Sequence, residues 1–149
     1  MQLKPLFMVL SLSFLVLVGI QVISPLSVGF KIDATVDINP DTFNVERNGK
    51  WITAYITLPE DYNVSDIDVE TILLQRMFEV KLSDIEDNKL MVKFDGSMVA
   101  NYLLDRLNHM GLNRAHIDLT ITGQLIDGMD FEGTDTIVVI NPPFAEQGL

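Results

Sequence analysis

The chain has 149 residues, no cysteine, and 21 acidic against 10 basic side chains, a formal net charge of −11. That length fits one domain of ordinary size, and the lack of cysteine removes disulfide frameworks and thiolate chemistry. The acid excess speaks against a nucleic-acid surface, which needs clustered Lys and Arg to neutralise phosphates. The charge is also unevenly spread. Lys4 is the one charged side chain among the first thirty residues, whereas from Asp33 onward 21 acids face 8 bases, a net −13.

The N-terminal block comes first. Residues 6–23 are apolar apart from Ser11, Ser13, Gly19 and Gln21, and no charge falls between Lys4 and Lys31. About 20 such residues in a helix span a bilayer core. Segment 1–31 therefore reads as an uncleaved signal anchor, with a transmembrane helix over about 6–25, or as a cleaved signal peptide. Ser27-Val28-Gly29 is the fair small-x-small cleavage candidate, with a second at Ala34. A buried core helix is the bland alternative. Both leading readings export the acidic body, expected to be a domain over 32–143 with a tail over 144–149.

After Lys31 the hydrophobic period changes to two. Residues 34–38 alternate and are stopped by Asn39-Pro40-Asp41. Residues 51–58 form the clearest strand, with Ile52, Ala54, Ile56 and Leu58 on one face, Trp51, Thr53, Tyr55 and Thr57 on the other, and Pro59 as its stop. Residues 69–74, 77–80 and 89–94 are further strands. Asp95-Gly96-Ser97 then caps a helix with apolar residues at Val99, Leu103 and Leu107, ending near Gly111. The last part is a long hairpin, 117–122 and 129–140, turned by Asp127-Gly128. Simple pairing sets Ile121 and Leu119 against threonines, so a β-bulge at or near Gly133 is expected to restore apolar pairs. The fold class expected is all-β: an immunoglobulin-like β-sandwich with one inserted α-helix, preceded by the N-terminal hydrophobic helix.

Several segments resemble a family of β-sandwich modules found in secreted and envelope proteins of archaea and some bacteria. They are ATVDINPDTFN at 34–44, GKWITAYITLPE at 49–60, VSDIDV at 64–69, MVKFD at 91–95 and the hairpin 118–140 with TGQLIDGMDFEGTDTI. The resemblance covers roughly 34–140. It implies an immunoglobulin-like or related sandwich used as a surface or accessory module, without catalytic activity. Family members often carry an acidic Asp/Gly-rich loop before the segment matching Leu90 to Asp95, which implies calcium. Here the loop is Ser83-Asp84-Ile85-Glu86-Asp87-Asn88 and has no glycine.

Candidate chemistry is sparse. Asp84, Glu86, Asp87 and Asn88 are hard oxygen ligands on an expected loop, with Asp95 as a further ligand, so calcium stands beside a plain solvated acidic turn. Glu60, Asp61, Asp66 and Asp68 form a second acidic group in a polar loop. Asn63-Val64-Ser65 is a glycosylation sequon on an expected exposed turn. Trp51 and Tyr55, with Tyr62, offer an aromatic platform for sugars, against the alternative of core packing. His109 and His116 lack a third ligand motif for zinc, and no nucleophile elbow, P-loop or Rossmann glycine pattern occurs.

The expectation is a non-catalytic envelope or surface module, membrane-anchored or secreted, that engages proteins or glycans and no nucleic acid. A pilus-like filament subunit and a carbohydrate- or calcium-binding accessory domain are the other readings.

Overall fold

The computed structural model describes residues 29–143. The N-terminal hydrophobic helix and the 144–149 tail expected from the sequence lie outside the described residues. Among the described residues no helix is long and apolar enough to cross a membrane.

Alternation of apolar and polar residues builds two sheets. Strand β1 (Lys31–Asp33) opens the chain, followed by β2 (Thr35–Asn39), β3 (Thr42–Asn44) and β4 (Trp51–Thr57). A 3-10 turn (Val64–Asp66) leads into β5 (Ile67–Leu74), β6 (Phe78–Glu79), β7 (Leu82–Glu86) and β8 (Lys89–Asp95). Helix α1 (Gly96–Met110) precedes the long pair β9 (Arg114–Leu125) and β10 (Asp130–Ile140). One sheet, here sheet A, runs β1-β10-β9-β5-β6 with β3 also on β10; the other, sheet B, runs β2-β4-β8-β7. Their inner faces share one apolar core that includes Phe43, Ile52, Phe94, Leu119 and Phe131. No polar or charged side chain is fully buried among the described residues. The architecture is a β-sandwich with one inserted helix.

The strand over 51–58 forms as expected. Ile52, Ala54 and Ile56 are buried, and Trp51, Thr53, Tyr55 and Thr57 lie half-buried on the outer face. The helix also matches. The Asp95 carboxylate accepts from the Ser97 and Met98 amides at 2.9 and 3.0 Å, which satisfies amides that the first helical turn leaves orphaned. At its other end Gly111 takes φ 66°, and the Leu112 amide donates to the Leu107 carbonyl at 3.1 Å, a Schellman closure. Val99, Leu103 and Leu107 join the core where β8 leaves sheet B.

Two expectations are corrected. The β9–β10 pairing is regular through Gly133, with Ile121 opposite Gly133 and Ile117 opposite Ile137, so the bulge expected there does not exist. The reason lies in the turn. Leu125 donates to the Met129 carbonyl at 2.9 Å, which leaves a three-residue loop, Ile126-Asp127-Gly128, with Gly128 at φ 89°. The extra residue is absorbed at the tip, where only glycine enters this region cheaply, and the register shifts without a bulge at Gly133. An irregularity falls instead on β5, between Asp68 and Leu73. Finally, residues 83–88 are not a loop. Most of them form β7, joined to β8 by a two-residue turn in which Asp87 and Asn88 both take positive φ, a left-handed conformation that Asn and Asp tolerate.

Candidate functional site

The outer face of sheet B gathers most of the residues singled out in the sequence. Pairing sets a row Asp37–Tyr55–Met91–Asp84 across all four strands. The next positions outward on β4 carry Thr53 and then Trp51, which lies opposite Asp95. Alternation makes this unavoidable: once Ile52, Ala54 and Ile56 point inward, Trp51 and Tyr55 point out. The Lys50 ammonium sits 5.0 Å above the Trp51 ring, a cation–π contact.

Beside Tyr55 is a shallow depression of about 270 Å³, lined by Asp37, Tyr55, Glu86, Asp87 and Lys89. It presents one aromatic ring, three carboxylates and one ammonium. Such a set suits hydroxyl-rich or basic ligands: the ring stacks, the carboxylates accept, and the ammonium donates. Asp37 and Lys89 were not singled out from the sequence. Each sits at an outward register position of its own strand. What joins them to Tyr55 is strand pairing, which no local pattern encodes.

The five expected calcium ligands do not form one sphere. Glu86 and Asp87 lie together at the β7–β8 turn with Asn88, all exposed. The Asp84 carboxylate accepts from the Ile85 amide at 2.9 Å. Asp95 is at the far end of β8 from that turn, about 20 Å along the strand, and is committed to capping α1. Among the described residues no three His, Asp or Glu side chains are grouped to hold a metal ion. The separation follows from β7 being a strand, since an extended chain spreads its carboxylates instead of folding them round an ion.

Asn63 is exposed at the start of the 3-10 turn, and its side-chain oxygen accepts from the Ser65 amide and hydroxyl at 2.9 and 2.8 Å. The sequon is therefore on the surface, as expected of a usable acceptor. His109 is exposed on α1, with its Nδ1 2.8 Å from the Asp105 carbonyl. His116 lies on β9 opposite Val138, and among the described residues neither histidine belongs to a group of three potential metal ligands. On sheet A an open groove of about 420 Å³ crosses the outer face, where Lys31 pairs with Glu132 at 3.0 Å and Arg76 approaches the same carboxylate at 3.8 Å.

One residue with a structural assignment was missed entirely. Asp135 occupies an inward position of β10, opposite buried Leu119. Its carboxylate crosses between the sheets and accepts from the Ile38 amide of β2 at 2.7 Å. An acid in the middle of an apolar face was the available signal.

No protein-family model matches the sequence, and no curated protein matches it. Among solved structures, the full extracellular region of plexin A4 aligns with a TM-score of 0.44 and 11% sequence identity, over 72% of this chain. The chain spans 10% of that plexin's length.

Proposed function

We propose that the protein is a non-catalytic module of the cell envelope, exported and held at the membrane by its N-terminal apolar segment or released from it, that binds proteins or glycans. The observation that carries this reading is the outer face of sheet B. It is open, it spans four strands, and it displays Trp51 and Tyr55 among carboxylates rather than in the core. A half-buried aromatic facing outward from a rigid sheet gives contact area at little conformational cost. The apolar run over 6–23 supports export. The resemblance to envelope β-sandwich modules, and with it the immunoglobulin-like grouping, fits the same assignment.

A carbohydrate-binding reading is favoured by the depression beside Tyr55, where an aromatic ring meets three carboxylates and an ammonium. Glycan-array binding and affinity capture from envelope extracts test both. Tyr55→Ala is expected to abolish glycan binding, with Trp51→Ala weakening it. Unchanged binding in both variants would remove the face from the account.

A further inference from the structure

Eight large apolar side chains are exposed among the described residues, Leu112 and Met110 at the α1 end included, and they differ in how far they stand out. Phe30 (87% exposed) and Ile126 (75%) are the two most exposed large apolar side chains among the described residues. They belong to the same end of the sandwich. Lys31 pairs with Asp130 in parallel, which sets Phe30 level with Met129, directly after the β9–β10 loop that carries Ile126. The β4–β5 connection reaches this end as well, since the Ile126 amide donates to the Asp66 carbonyl at 2.8 Å. Tyr62 lines a depression of about 460 Å³ against Ile126.

This is also the end at which the chain enters from its apolar segment. Four residues lie between Pro25 and Phe30, so the five steps from one to the other reach at most about 18 Å. The sandwich is longer than that: β9 has 12 residues, about 40 Å from end to end. At its opposite end lie Leu112 and the last described residues, with the Asn141 amide bonded to the Asn113 carbonyl at 2.8 Å.

We infer that the Phe30–Ile126 end is a lipid-contact surface. The bilayer into which residues 6–25 insert is its partner, and the α1 and C-terminal end projects away from it. This rests on the anchor reading. A tether shorter than the domain holds this end against the headgroups, and the two apolar side chains gain by entering them. Lying flat is opposed by the carboxylates on both outer faces, among them Asp37 and Asp84 on one and Asp118 and Glu132 on the other. Asp61, Asp66 and Asp127 surround Ile126, so the contact is narrow and suits a zwitterionic surface better than an anionic one.

The absence of cysteine makes the test direct. Full-length chain carrying Ile126→Cys, Phe30→Cys or Leu112→Cys is labelled with an environment-sensitive fluorophore and reconstituted into phosphatidylcholine vesicles with brominated acyl chains. Flotation is measured first, then quenching. Expected are co-flotation of all three variants, loss of fluorescence at positions 126 and 30, and no loss at 112. Co-flotation with equal quenching at 126 and 112 would overturn the lipid-contact surface while leaving the anchor intact. Failure to float would overturn the anchor and the inference with it.

Discussion

The two long edges of this sandwich are finished in opposite ways. At one edge the chain threads both sheets: β1 pairs with β10, β2 crosses to β4, and β3 returns to β10. Three short strands thus close the gap between the sheets. The closure demands unusual residues. Gly133 lies under β2, where a Cβ would meet the Val36 side chain and approach the Ala34 carbonyl oxygen to 2.5 Å. Asp135 supplies an acceptor to the Ile38 amide, which faces away from β4. At the other edge β7 is exposed along its whole length, pairs only with β8, and among the described residues has no strand beyond it. There the Asp84 carboxylate occupies the Ile85 amide, and Glu86 adds a second charge, devices that blunt an edge against pairing with another chain. One edge is sealed by packing that tolerates little change, and the other is guarded by charge alone.

That contrast orders the mutational effects. Phe43→Ala on β3 empties a fully buried position of the sealed edge and is expected to cost about 3–5 kcal/mol in chemical denaturation. Gly133→Ala drives a methyl group into backbone and is expected to cost about 1–3 kcal/mol. Asp135→Ala leaves the half-buried Ile38 amide without its acceptor, for about 1–3 kcal/mol, and Asp135→Asn recovers part of the loss because an amide oxygen still accepts. At the guarded edge Ile85→Ala is expected to change stability by no more than about 0.5 kcal/mol, its side chain being 50% exposed. Asp84→Val is expected to leave stability within the same range and to produce concentration-dependent self-association in sedimentation. Equal destabilisation at the two edges would erase the distinction.

The same contrast explains what was legible in the sequence. Strand β4 and helix α1 each bury one complete face, so Ile52, Ala54 and Ile56, or Val99, Leu103 and Leu107, repeat at the right period. Strand β7 buries neither face, so its residues carry no periodic signal and read as an acidic loop. Strands β1 and β3 have three residues each, too few for alternation to register. The β9–β10 register turned on whether Ile126 belonged to the loop, a one-residue question that reverses every pairing. For the candidate site, Trp51 and Tyr55 were readable as outward aromatics from β4 alone. Their association with Asp37 and Lys89 was not, because it depends on which strands lie side by side.

The central claim is that the acidic sandwich is presented outside the cell membrane. Full-length chain carrying Leu112→Cys, 49% exposed at the end away from the N-terminal segment, tests it most directly. Intact expressing cells are treated with a membrane-impermeant maleimide and compared with lysed cells. The account predicts full labelling before lysis, with the labelled chain in the membrane fraction or the medium. Labelling that appears only after lysis would contradict it.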